Sequence, residues 1–243
     1  MNQRSSVNAS ELLLEVARLN GESIALASSS QYKRALKEGR KAFTILSQIE
    51  KLHRIQENDH IGTISPLPCG RFYSFKVKAF SHPVCLIEIR NGIDDERELV
   101  QLYSCALMYN MALYQYYLGD LSSASRLLDL SLHISSRNEG NQLKIVQLVV
   151  LALHLLGKIY ESSEDGVHFL IELCSIIKFD QEIVESDLMI AHALTELGWA
   201  CQKHDYLIDA IHAFQEACSI YDIYASMKSV LNEDMVINSA PAA

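Results

Sequence analysis

The chain has 243 residues, enough for one large domain or two small ones whose cores need no disulfide or metal staple. Its 21 Lys and Arg against 30 Asp and Glu leave a net charge of −9, which argues against a nucleic-acid partner, because phosphate binding is driven by counterion release onto Lys and Arg clusters. The six cysteines are scattered without a CxxC pair, and the start, MNQRSSVNASELLLEVARL, lacks the unbroken apolar core of a secretory signal, so the expectation is free thiols in a reducing, cytoplasmic setting.

Three of the four prolines, Pro66, Pro68 and Pro83, cluster between residues 55 and 95 and divide the chain. Ahead of them, Asn8-Ala-Ser-Glu11 reads as a capping box opening a helix over 9–28. Ser28-Ser29-Ser30 reads as a turn and 31–54 as a second helix, so residues 1–54 form a first helix pair. Residues 55–93 read as an inserted irregular segment. Within it Tyr73, Phe75, Val77 and Ala79 alternate with Ser74, Lys76 and Lys78, and residues 84–89 are a second apolar run. This spacing predicts a two-stranded ribbon that must pack on helices to persist. Asp94-Asp95-Glu96 suits a helix N-terminus. Gly119-Asp120, Asn138-Glu139-Gly140, Glu164-Asp165-Gly166 and His204-Asp205 then mark turns, giving three further helix pairs over 94–231 and about eight helices in all. Residues 232–243 are expected to fray. The most apolar stretch, 145–160, is shorter than the ~20 residues of a membrane span. Gln147 and His154 interrupt it and Lys158 closes it, so it reads as a buried helix and no membrane partner is expected.

A ladder of small residues runs through these helices. From Gly198, Asp205 follows after seven residues, Ala210 after twelve, then Phe214 and Ala217. The same intervals join Ala112, Gly119, Ala124, Leu128 and Ser131, and again Ser23, Ser30, Ala35, Gly39 and Ala42. Small residues let two helices approach closely, and steps of four then three keep the contact on one face. The chain here resembles the tetratricopeptide repeat (TPR) family, through Leu197-Gly198, Ala210, Phe214 and Ala217, through Met111-Ala112, Ala124 and Leu128, and through Leu156-Gly157 with Tyr160. In the Gly157 copy, Val167, Ile171 and Cys174 take the four-then-three places only if the turn is shortened. The anchors at 112, 157 and 198 lie 45 and 41 residues apart, against about 34 in the family, which is similar to the longer repeats of kinesin light chains. The resemblance implies an all-α fold, an α-solenoid of antiparallel helix pairs, with the inserted segment between the first and second pairs. HEAT-type repeats share the longer period and are the alternative.

The resemblance also implies a concave face built by the first helix of each pair. Counting from the anchors selects Tyr109, Leu113 and Tyr116, then His154, Lys158 and Glu161, then His192, Thr195, Trp199 and Gln202. These either line a groove for a peptide or helical partner, with the aromatics as apolar area and the polar groups as hydrogen-bonding partners, or pack against other helices. Family members that bind acidic C-terminal tails carry a lysine and asparagine clamp on this face. Lys158 and Lys203 are present here without matching asparagines. The inserted segment, with Arg71, Lys76 and Lys78 among aromatics, is expected to fold across the groove as a self-covering lid or to serve as a spacer.

Cys201, His204, His212 and Cys218 match no common zinc spacing. His133, His168 and Glu172 lack a nucleophile and an oxyanion-type donor set. No glycine-rich phosphate loop is present. The sequence therefore points to a non-catalytic interaction module, an adaptor or scaffold with no cofactor and no metal. The alternatives are an enzyme or metal-dependent site between the inserted segment and the helices, and self-association through the end helices.

Overall fold

A computed structural model describes residues 9–57, 80–90, 93, 95–135, 142–179 and 187–238. Among them are nine helices and no strand. They are α1 (Ala9–Ser28), α2 (Tyr32–Glu57), α3 (Leu86–Arg90), α4 (Glu96–Tyr117), α5 (Leu121–Ser135), α6 (Gln142–Ile159), α7 (Glu164–Phe179), α8 (Asp187–Lys203) and α9 (Leu207–Asn238). The chain divides into two compact units, one of Met1–Lys76 with Ser81–Leu155, the other of Val77–Phe80 with Leu156–Ala243. No helix among the described residues is long and apolar enough to cross a membrane.

Three hairpins, α1/α2, α4/α5 and α8/α9, share one turn geometry. Their turns pass through Ser30, Gly119 and Asp205, which have positive φ of 57°, 81° and 62° and are also the ladder positions seven after Ser23, Ala112 and Gly198. Each turn closes with a Schellman pair of hydrogen bonds. Gln31 N donates to Leu26 O, Asp120 N to Gln115 O and Tyr206 N to Cys201 O, each at 2.9 Å. Five residues beyond each turn residue, the amides of Ala35, Ala124 and Ala210 donate the first bond of the second helix. All three alanines are buried, as are Ser23, Ala112 and Gly198.

The small residues sit where helices meet. A Cβ on Gly198 would lie 2.7 Å from Phe214 Cε1 of α9, and one on Gly157 would lie 2.8 Å from Leu170 of α7. In the first hairpin Ser23 Oγ donates to the Ala35 carbonyl at 3.0 Å and lies 3.1 Å from the Tyr114 hydroxyl. In the second, Ser131 Oγ donates to the Cys105 carbonyl at 3.2 Å. These bonds satisfy hydroxyls that would otherwise be buried without partners.

Helix α4 is the centre of the first unit. It is buried on all sides over 105–115, and Tyr103, Tyr109 and Tyr114 are among the largest fully buried side chains. Burial pushes the Tyr103 and Tyr114 phenols up to about 12, and that of Tyr109 higher still. Asp95 caps its N-terminus by accepting from Arg97 N at 2.9 Å, in line with the acidic run expected there.

Three expectations are corrected. Residues 84–89 do not form a strand. Val84 precedes α3 outside any helix or strand, and its backbone pairs with side chains: its N–H donates to Asn110 Oδ1 at 2.6 Å, and its carbonyl accepts from Asn110 Nδ2 at 2.8 Å and from Asn20 Nδ2 at 3.0 Å. Asn110 thus occupies both groups that a neighbouring strand would have used, and Leu86 and Ile89, one helical turn apart, bury on the same side as α3. Buried Lys144 of α6 donates to the Ile89 carbonyl at 2.8 Å, closing the C-terminal end of α3, and desolvation lowers its pKa. Second, Gly166 is not a turn residue. The turn occupies 160–163, and Gly166 lies in the first turn of α7, where a Cβ would collide with the Tyr160 carbonyl oxygen. Third, the helical segment does not stop at 231, since α9 continues to Asn238, and 239–243 lie outside the described residues. The Asn8 cap and the alternating run at 73–79 lie outside the described residues.

Candidate functional site

The site belongs to the second unit and is built on α8. Its interior stripe, including Ile190, Ala193, Leu194 and Cys201, fixes the rotation of the helix. This leaves His192, Trp199, Gln202 and Lys203 exposed, with Thr195 and Glu196 half-buried beside them. Lys158, at the end of α6, and Glu161, in the following turn, complete the surface around a cleft of about 230 Å³ floored by Leu170 and Ala200.

Trp199 dominates this surface. It is the chain's one tryptophan and is 62% exposed. Its ring is held edge-on by Phe214 of α9, at a centroid separation of 5.2 Å and 75° between planes. The Phe214 ring occupies the space left by Gly198, so the ladder glycine also positions the tryptophan beside it.

The charges around Trp199 are mutually paired. Lys158 Nζ lies 2.5 Å from Glu196 Oε1, which is 3.8 Å from His192 Nε2, and Lys203 Nζ lies 3.4 Å from Glu161 Oε1. Each lysine of this surface thus faces a glutamate. Thr195 donates its hydroxyl to the Ala191 carbonyl at 2.8 Å, within its own helix. What remains for a partner is apolar area on Trp199, the Gln202 amide and a charge-neutral rim. Phe80 is buried with its ring 6.0 Å from His192, at one edge of this surface, and Arg71, Lys76 and Lys78 of the expected lid lie outside the described residues.

Six of the ten residues picked out by helical spacing, Lys158, Glu161, His192, Thr195, Trp199 and Gln202, therefore belong to this one unit. Tyr109, Leu113 and His154 are corrected: they are 0%, 1% and 2% exposed and available to no partner. The reason is that α4 over 105–115 and much of the middle of α6 are buried nearly all round, so spacing from an anchor cannot tell an outer face from an inner one. Tyr116 is half-buried against Tyr117 in the first unit. Spacing missed Glu196, although it stands four residues after His192, and it missed Lys203 as the partner of Glu161.

The groups considered for catalysis are not assembled for it. Cys174 and Cys201 are buried, and desolvation pushes Cys174 up to about 12 and Cys201 above its ordinary value, the reverse of an activated thiolate. His168 and Glu172 are exposed on α7, and His133 is exposed on α5 in the other unit. Cys218 is exposed on α9 while Cys201 is buried on α8. No protein-family model, no curated protein and no solved structure matches the chain.

Proposed function

We propose that the chain is a non-catalytic interaction module, a TPR-like array of helix pairs that works in the cytoplasm and binds a peptide or helical segment of a partner protein. The supporting features of the array are the ladder recurring at fixed intervals and the shared turn geometry at Ser30, Gly119 and Asp205. The observation that carries the binding site is Trp199, mostly exposed yet fixed by Phe214 and flanked by paired charges. A rigid aromatic inside a neutral polar rim is the anatomy of an interface anchor. The favoured ligand is a segment anchored by apolar or aromatic side chains, since both lysines of the rim already hold glutamates. The test is affinity capture from the native cell extract with wild type and with Trp199→Ala. A specific partner retained by wild type should be lost with the variant while helical content is unchanged. Equal capture by both would refute this surface as the site.

A further inference from the structure

The first unit carries a groove of about 590 Å³ that the Trp199 surface does not involve. Its walls are α2 and α5 and its floor is α4, with Phe43, Met108, Met111, Leu127 and Leu130 as its apolar lining. Arg40 stands on the α2 wall and Arg126 on the α5 wall, both exposed. No carboxylate lines the groove, and neither guanidinium makes an ion pair with one among the described residues. Lys33 and Lys37 extend the cationic row of Arg40 along α2. Five of the nine residues over 33–41 are Lys or Arg, in a chain whose net charge is −9.

The second unit contains the same groove in the same register. A shift of 86 positions, the spacing of Ala112 and Gly198, carries Met111 to Leu197, Arg126 to His212 and Leu130 to Glu216, all of which line a groove of about 450 Å³ between α7 and α9. There the cation is satisfied from within, because Lys178 of α7 pairs with Glu216 of α9 at 2.7 Å across the groove. In the first groove the place of Glu216 is taken by Leu130, half exposed; among the described residues Arg40 and Arg126 make no ion pair across it, and the carboxylate that feels the Arg126 charge, Asp120, lies outside the lining. One groove is thus bridged by its own salt bridge, while its counterpart presents an apolar floor flanked by cations with no such bridge among the described residues.

We propose that the α2/α5 groove docks an acidic amphipathic helix of a partner protein, its apolar stripe on Met108, Met111 and Leu130 and its flanking carboxylates against Arg40 on one wall and Arg126 on the other. A helix fits because its apolar stripe carries polar residues on both edges, matching cations on both walls. This site is independent of the Trp199 surface and stands or falls separately.

The probe is a fluorescein-labelled helical peptide of about four turns, with leucines at i, i+3, i+4 and i+7 and glutamates on either side. Fluorescence anisotropy should show saturable binding that weakens with added salt, and the Met108 and Met111 methyl resonances should shift. The Arg40→Gln/Arg126→Gln double variant should weaken binding about three- to tenfold, while Lys178→Gln in the second groove should leave it unchanged. Circular dichroism establishes that each variant keeps its helical content. Absence of binding at millimolar peptide, equal binding of a peptide with lysines in place of glutamates, or an affinity unmoved by the double variant would overturn the proposal. So would sedimentation showing that the double variant abolishes a dimer of the wild-type chain, since the groove would then be a contact between copies.

Discussion

Gly198 tests whether the ladder exists for close packing. An alanine in an ordinary helix interior is about 0.8–1.0 kcal/mol more favourable than glycine. Gly21, exposed in α1 with nothing within 4 Å of a built Cβ, should show that gain in full, so Gly21→Ala should stabilise the protein by roughly that amount. At Gly198 the same methyl lies 2.7, 2.8 and 2.9 Å from three atoms of the Phe214 ring. The ring cannot swing aside freely, because its edge contact with Trp199 fixes it from the other side. Overpacking of this kind costs about 1–3 kcal/mol, so Gly198→Ala should range from neutral to about 2 kcal/mol destabilising, and the two variants should differ by about 1–3 kcal/mol. Urea unfolding followed by far-ultraviolet circular dichroism measures both, and the fluorescence of Trp199 follows the α8/α9 hairpin itself. In a Phe214→Ala background the clash is removed and Gly198→Ala should become stabilising. If Gly198→Ala alone stabilises as much as Gly21→Ala, the close-packing account of the ladder is wrong.

Other consequences follow from the buried polar groups. Asn110→Ala removes the acceptor for the Val84 amide and one of two donors to its carbonyl, and an orphaned buried group costs about 1–3 kcal/mol. Urea unfolding should show a loss in that range, with proteolysis near residues 84–90 accelerated. Tyr103 and Tyr114 hold their protons more tightly in the folded chain, at about 12, than the ordinary phenol at 10. Between those values the folded state binds more protons than the unfolded one. Their contribution is therefore complete below pH 10 and lost as pH rises towards 12, by about 1.4 kcal/mol per unit for each phenol. A urea midpoint that stays constant across that window would contradict their burial. Mapped alkylation of the native protein should modify exposed Cys218 rapidly and reach Cys105, Cys174 and Cys201 only on unfolding.

Much of this architecture was legible because packing leaves a local signature. The helix over 9–28, the acidic start of α4 and the turns at Ser30, Gly119 and Asp205 all follow from residues close together in sequence. In the copy anchored at Gly157, α6 ends two residues after the anchor where α4 and α8 run five, and Val167 and Cys174 are buried while Ile171, the third place named for it, is 45% exposed. What could not be read depends on distant partners. Asn20 and Asn110, 90 residues apart, decide that Val84 pairs with side chains rather than with a strand. Gly166 looked like a turn signal because glycine serves turns and close approaches alike, and only the position of the Tyr160 carbonyl separates the two. At the site, three- and four-residue steps found the exposed face of α8, whose polar and apolar sides differ. They failed on Tyr109 and Leu113 because α4 is buried on every side over 105–115 and offers no exposed face there.

The most direct test of the functional account is collisional quenching of Trp199 by iodide, which reads the proposed anchor without interference because the chain has one tryptophan. The free protein should be strongly quenched, and addition of the partner captured by wild type should shield the residue. A tryptophan already shielded in the free chain, or one equally quenched in the complex, would contradict the assignment of this surface as the docking site.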